Sequence, residues 1–227
     1  MKRRYCSLLI MALSPLVFAK AEPAPGFKSK ISTIPSVIAT RMQQQTWHPG
    51  CPVALNHLAY IQLSYWGFDK RTHRGTLIVN KDLAAEVVAI FKVLYQHKFP
   101  MQRMELLDVF HGDDLASMSA NNTSAFNCRE VTGRPGEYSQ HSYGRAIDIN
   151  PLLNPYVQGN KVLPIGGTRS MDRHSPAPGK IVNGDVVYQE FHKHGWDWAG
   201  NWFDVHDYQH FEKRAHGEKR NPYGYGK

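Results

Sequence analysis

Apolar residues recur at helical spacing in two segments of the chain. Residues 34–47 predict a first helix, and a longer one is predicted after Asn80, which we interpret as its N-cap. The apolar positions of this second helix are Leu83, Val87, Val88, Ile90, Phe91 and Leu94. Steps of three and four residues are typical of an amphipathic helix with one buried face. A last helix is predicted near residues 186–194.

Aromatic and β-branched residues indicate the extended segments. Residues 58–68 and 75–79 flank a polar turn at 69–74 and predict a β-hairpin. Further strands are predicted at 101–110, 125–131, 145–149 and 208–212. Because hairpins and isolated helices are mixed, the predicted fold class is α+β, with a mainly antiparallel sheet and flanking helices. Residues 155–184, rich in Gly and Pro, predict a long loop that covers a site or moves.

The first 21 residues resemble a secretory signal peptide. Basic residues precede an apolar run too short to span a bilayer, and cleavage is predicted after Ala19 or Ala21. We therefore predict a secreted or periplasmic protein without a stable membrane anchor. The predicted order is then a linker at 22–30, one domain at 31–212 and a basic flexible tail at 213–227.

Half of the excess of basic over acidic residues lies in this N-terminal segment. Its removal lowers the formal net charge from +8 to +4, and the remaining basic residues are scattered without an aromatic and basic stripe. Nucleic acid is therefore not an expected partner. A mature length of about 200 residues fits one domain, and we expect a monomer.

Two cysteines, Cys51 and Cys128, remain after cleavage. Export places them in a compartment in which disulfides persist, so we prefer a disulfide between them. A pair of buried thiols is the alternative, because the sequence does not show whether their Cα atoms are close enough to bridge.

Residues 139–151 contain the densest run of chemically active side chains. His141 and Asp148 are seven residues apart, a spacing that would place them on opposite faces of a continuous strand. The chain must therefore bend, and Gly144 permits the bend. Apolar residues surround Asp148 in the sequence, and a buried carboxylate needs a partner, for which a bound cation is suitable.

His210 is the third candidate metal ligand. Two imidazoles and one carboxylate suit Zn²⁺ and leave a fourth position for water. Asp207 lies three residues earlier, where one tight turn can bring its carboxylate to the proton of that water.

These residues resemble a known family. The pattern is similar to that of the zinc D-alanyl-D-alanine carboxypeptidases and L-alanyl-D-glutamate peptidases, which share their fold with the hedgehog signalling domain. The matching residues are Ser139-x-His141-x-x-Gly144-x-Ala146-x-Asp148, Asp207-x-x-His210 and Phe126-Asn127-Cys128-Arg129. The resemblance spans about residues 50–212 and implies a hedgehog/DD-peptidase-like fold. An aspartate at position 207, as in the L-alanyl-D-glutamate branch, weakens an interpretation as a dipeptidase.

The resemblance also implies a role for each site residue. His141, Asp148 and His210 would bind Zn²⁺, Asp207 would be the general base, and Arg129 would bind the substrate carbonyl oxygen as it becomes an oxyanion.

Several of these residues have a second interpretation. Arg129 is either catalytic and substrate-binding or simply the partner of a carboxylate. Ser139 is either a hydrogen-bond donor that helps to bind substrate or a turn residue. Trp196, Trp198 and Trp202 either form the floor of a substrate groove or belong to the core, and we prefer the core.

The predicted function is hydrolysis of the stem peptides of bacterial peptidoglycan by an exported zinc peptidase. The bond would be either L-Ala-D-Glu, cut by an endopeptidase, or D-Ala-D-Ala, cut by a carboxypeptidase. The alternative is a non-catalytic, zinc-containing module of the same fold that binds cell wall or protein. Asp207 and Arg129 favour an enzyme, because a structural metal needs neither. No Ser-x-x-Lys motif is present, which excludes a serine-type penicillin-binding site.

Overall fold

The computed structural model describes residues 26–131, 134–175, 177–221 and 223. The predicted signal peptide and residues 22–25 of the predicted linker lie outside these residues. The helices are α1 (Ser36–Gln45), α2 (Ala84–Gln96), α3 (Asp114–Ser119) and α4 (Val186–Lys193). The strands are β1 (Ser29–Ser32), β2 (Leu58–Gly67), β3 (Thr72–Asn80), β4 (Pro100–Met101), β5 (Arg103–Met104), β6 (Asn122–Thr123), β7 (Glu130–Val131), β8 (Arg134–Tyr138), β9 (Ala146–Asp148), β10 (Tyr156–Gln158), β11 (Lys161–Leu163), β12 (Asp197–Trp198), β13 (His206–Asp207) and β14 (His210–Glu212).

The predicted hairpin forms the main sheet. β2 and β3 pair antiparallel along their whole length, β1 adds to the other edge of β2, and two residues of β4 pair with β2 in parallel. The apolar stripe of α2 packs on this sheet, and the buried core includes Ile61, Leu77, Ile90 and Phe91. Alternate residues of the strands are apolar and form one face of this core. The apolar residues of α2, which recur every three or four positions, form the other face.

A second sheet carries the residues of interest. β14 lies between β12 and β9, and all pairs are antiparallel. Ile147 of β9 and Phe211 of β14 are paired and fully buried in the same core as α2. Because side chains alternate along a strand, their neighbours Asp148 and His210 point to the opposite face.

The fold class is α+β with several antiparallel sheets and few helices, as predicted. The strands do not form one sheet, however: among the described residues they form several small sheets. No helix in the described part of the chain is long and apolar enough to cross a membrane.

The predicted strand at 101–110 is wrong beyond its first residues. It contains only β4 and β5, followed by a 3₁₀ helix at Leu107–Phe110. Side chains replace a neighbouring strand as partners here: Gln102 N–H donates to Asn150 Oδ1 at 3.2 Å and Glu105 N–H to Asn122 Oδ1 at 2.8 Å.

The predicted strand at 125–131 is limited to β7 at its end. The backbone N–H groups of the preceding residues donate to three different parts of the chain, so no ladder forms. Phe126 donates to Ile78 O, Cys128 to Thr46 O and Arg129 to Ser142 Oγ.

Asn80 does not cap a helix with its side chain, contrary to the prediction. It precedes a 3₁₀ turn at Lys81–Leu83 that leads into α2, and no side-chain cap bond is present. Its amide Nδ2 donates to Tyr143 O at 3.1 Å, and its backbone N–H donates to Gly144 O at 2.8 Å. Asn80 therefore connects the end of the hairpin to the segment that contains His141.

Strands or ion pairs occur within the segments predicted as linker, loop and tail. β1 begins at Ser29, inside the predicted linker at 22–30, and β10 and β11 form a hairpin inside the predicted loop at 155–184. In the predicted flexible tail, Lys213 contacts Glu86 at 2.8 Å, and further ion pairs join Arg214 to Glu212 and Arg220 to Asp204. Ion pairs of this kind continue as far as Arg220.

Cys51 and Cys128 form the predicted disulfide, with their Cα atoms 6.0 Å apart. The bridge joins the segment before β2 to the residue that precedes Arg129. His48 lies beside it, with Nε2 3.5 Å from Cys128 Sγ. His48 and the two cysteines are close enough together to bind a metal. The cysteines could do so only as free thiols, and both sulfurs are used in the disulfide.

Candidate metal centre

The predicted bend between His141 and Asp148 is present. A 3₁₀ turn at Gln140–Tyr143 begins after Ser139, whose Oγ accepts a hydrogen bond from His141 N–H at 3.3 Å. The turn ends at Gly144, which has φ +66°, and β9 follows. A Cβ at Gly144 would lie 2.6 Å from Asn80 N, so both its conformation and its close contact require glycine.

Strand pairing brings the third candidate ligand to the first two. His210 lies directly opposite Asp148 in the β14–β9 pair, on the face away from the core. His141, Asp148 and His210 are all buried, and one ligand atom from each lies within 4.8 Å of the others.

The ligand atoms of these three residues, called the triangle below, lie close together, and each histidine faces a different oxygen of Asp148. His141 Nε2 is 3.2 Å from His210 Nδ1 and 3.2 Å from Asp148 Oδ2, and His210 Nδ1 is 3.0 Å from Asp148 Oδ1. Zinc bonds of about 2.0–2.1 Å at tetrahedral angles place two ligand atoms about 3.3 Å apart. These separations are close to those of three ligands on one face of a tetrahedral zinc site, which would leave the fourth corner for another ligand.

The hydrogen bonds around the triangle place the protons outside it. His141 Nδ1 faces the carbonyl oxygen of Ala125, and His210 Nε2 lies 3.1 Å from the carboxylate Oε2 of Glu212. A carbonyl and a carboxylate oxygen only accept, so both ring nitrogens donate. If both rings are otherwise neutral, their inner nitrogens carry lone pairs that face each other and Asp148, and a cation at the centre would stabilise this arrangement.

The pKa shifts of Asp148 and His210 also favour a positive charge between the three residues. Burial alone would raise the pKa of Asp148, but the charge and hydrogen bonds of His141 and His210 outweigh it and hold that pKa below its usual range. Burial would lower the pKa of His210, yet its hydrogen bonds to Asp148 and Glu212 raise it to about 10. Without a metal, the centre would thus hold a proton in the metal's place.

Asp207 is a buried acid beside the centre and is not a member of the triangle. It lies in β13, opposite Tyr156 of β10, and its Oδ1 is buried without a hydrogen-bond partner in the described residues. Burial and the charge of Asp148 raise the pKa of Asp207 to about 6. A carboxylate with that pKa can accept a proton near neutral pH.

A cleft of about 310 Å³ opens over these residues. Asp148, Asp207 and His210 line it together with Arg129 and Ser139. The β10–β11 hairpin forms part of its wall through Tyr156, Gln158 and Leu163. The segment predicted to cover a site therefore does border the cleft.

Comparison with protein families gives one informative match. Residues 132–213 match the family model described as D-alanyl-D-alanine carboxypeptidase. This match supports the family resemblance that the sequence motifs indicate. The matched segment of this carboxypeptidase family contains His141, Asp148, Asp207 and His210 and ends beyond Glu212, whereas Arg129 precedes it. No curated protein and no solved structure matches the chain.

Arg129 and Ser139 both lie at the cleft, in line with either of their two interpretations. The Arg129 guanidinium contacts Asp114, which also lines the cleft, through Nε and donates from Nη1 to Glu130 O at 3.2 Å. Ser139 has its Oγ engaged by His141 N–H, so it shapes the turn that carries the ligand.

The preferred core interpretation does not hold for one of the three tryptophans, and one further residue beside the centre was not predicted. Trp196 and Trp198 belong to the core as predicted, but Trp202 lines the cleft, with its ring centre 5.8 Å from that of His210. Glu212 contacts His210 directly. The signal for Glu212 was present, because residues two apart in a strand share a face.

Proposed function

We propose that the protein is a zinc peptidase that hydrolyses peptide bonds in peptidoglycan. The observation that supports zinc is the triangle of two imidazole nitrogens and one carboxylate, with both imidazole protons directed away from its centre. The family match supports a peptidase. The hedgehog/DD-peptidase fold belongs to the same proposal, because the site is built on the antiparallel β9–β14 pair.

In this proposal, His141, Asp148 and His210 hold the metal. Zinc at such a centre supplies a Lewis acid and lowers the pKa of water towards about 7. Asp207 takes the proton of the attacking water and returns it to the departing amine, since its raised pKa suits both steps. Arg129, held against Asp114, binds the carbonyl oxygen as negative charge develops on it.

The substrate proposed is the stem peptide of peptidoglycan, cut at L-Ala-D-Glu or at terminal D-Ala-D-Ala. The open cleft gives an extended peptide access to the centre. We also propose that the protein is exported, acts in the periplasm or outside the cell, and works as a monomer whose domain ends near residue 212. The disulfide supports export, because such bonds persist in oxidising compartments.

Metal analysis and digestion of purified peptidoglycan fragments test the proposal together. The native protein should contain about one zinc per chain and release fragments whose masses identify the bond that is cut. His141→Ala should lose zinc and activity, while His57→Ala, which changes an exposed histidine, should keep both.

Zinc in the native protein without hydrolysis of any fragment would instead indicate the binding module. Native levels of zinc in His141→Ala would disprove the ligand assignment.

A further inference from the structure

We propose that Glu212 is a positioning residue that determines which nitrogen of His210 can bind the metal. The proposal rests on the zinc site proposed above and adds a residue that takes no part in the triangle. Glu212 follows His210 by two positions in β14, so both side chains leave the same face of the strand. Its side chain is only 4 % exposed.

The contact between the two side chains has the geometry of a hydrogen bond. Glu212 Oε2 lies 3.1 Å from His210 Nε2, while His210 Nδ1 faces Asp148 and His141. A neutral imidazole carries its single proton on one nitrogen or the other. Because Glu212 accepts at Nε2, the proton stays there and the Nδ1 lone pair points into the triangle.

A proton on the other nitrogen would block the site. With Nδ1 protonated, the N–H would point to the centre of the triangle, and His210 would offer no lone pair to a metal. Carboxylates that accept from the outer nitrogen of a ligand histidine fix both its tautomer and its ring orientation. Glu212 is the side chain placed to do this for His210.

The carboxylate of Glu212 is itself held from its other side. Arg214 Nε donates to Glu212 Oε1 at 2.7 Å, so each carboxylate oxygen has a different partner. Charge-assisted bonds of this kind are short and directional. The orientation of the His210 ring is therefore set by a chain of contacts from Arg214 through Glu212.

A purely structural role for Glu212 makes a different prediction. Glu212 would then serve only to neutralise Arg214, and its loss would lower the stability of the fold without changing metal affinity. Asp108 provides the matched comparison. Its side chain is 1 % exposed and pairs with Arg41 at 2.7 Å, yet it belongs to neither the triangle nor the cleft.

The experiment compares Glu212→Gln and Asp108→Asn in the full mature protein. The zinc dissociation constant is measured by competition with a chelator, the absorption spectrum is recorded after loading with cobalt, and metal-free unfolding is followed by heating. We expect Glu212→Gln to weaken zinc binding about 10- to 100-fold and to change the cobalt spectrum. Asp108→Asn should keep the dissociation constant within about twofold of the native value.

A second variant keeps the test possible if Glu212→Gln does not fold. Glu212→Asp keeps the charge but shortens the side chain by one methylene, so it should also bind zinc more weakly than the native protein. Unchanged zinc affinity in a folded Glu212 variant, even with lowered thermal stability, would overturn the inference. If the native protein binds no zinc, the proposed function fails first, which distinguishes the two outcomes.

Discussion

Asp207→Asn is the change that separates the proposed general base from the proposed metal ligands. The substitution keeps the size of the side chain but removes its ability to accept a proton from water. Asp207 is outside the triangle, so zinc content and affinity should be retained. Hydrolysis of peptidoglycan fragments should fall roughly 10²- to 10⁴-fold, the usual loss for a positioned general base.

The same substitution should stabilise the metal-free protein. Burial and the charge of Asp148 raise the pKa of Asp207 from 3.8 to about 6, so the folded state disfavours the carboxylate. A rise of about two units corresponds to about 3 kcal/mol of unfavourable free energy once the group is ionised. The metal-free native protein therefore loses stability between roughly pH 4 and pH 6, because the raised folded-state pKa favours folding only while Asp207 is protonated.

Urea unfolding of the metal-free proteins measures this effect. At pH 7.5 Asp207→Asn should unfold at higher urea than the native protein, by up to about 3 kcal/mol, and at pH 4 the difference should largely disappear. Asp204→Asn is the control for activity, because Asp204 lines the same cleft but is paired with Arg220. It should retain activity within about tenfold of the native value.

Two results would refute the reasoning on Asp207. Loss of zinc together with activity in Asp207→Asn would make Asp207 a ligand. Full activity would move the role of base to a neighbour such as Asp204 or His206.

Two further changes test the scaffold of the site. Gly144→Ala should lower the free energy of unfolding by about 1–3 kcal/mol, because φ is +66° and the new Cβ meets Asn80 N. Gly159→Ala is the control, since φ is +55° but the space around it is open. In the same urea titration it should lower the free energy of unfolding by less. Replacing Cys51 and Cys128 by alanine together should lower the free energy of unfolding by about 2–4 kcal/mol, because the bridge spans 77 residues. Denatured, unreduced native protein should show no reactive thiol, and two per chain would contradict the bridge.

Local patterns in the sequence determined the elements that depend on near neighbours. The apolar steps of α2 and the two strands of the β2–β3 hairpin were predicted because each buries one face with a fixed period. The bend at Gly144 followed from the odd spacing of His141 and Asp148, which is also a local property. The candidate ligands were identified because two short motifs contain residues whose chemistry suits zinc.

Only the tertiary structure decided the features that depend on residues distant in the chain, namely which strand-like segments form strands and which side chains meet at the site. Residues 101–110 and 125–131 have strand-like sequences, yet their backbone donors are bound by distant side chains and carbonyls, which no local pattern encodes. The antiparallel register of β14 with β9 places His210 opposite Asp148 across 62 residues. The proposed positions of the imidazole protons and the proposed role of Glu212 also depend on such contacts, because the partner of the outer ring nitrogen in the folded chain favours one tautomer of a histidine.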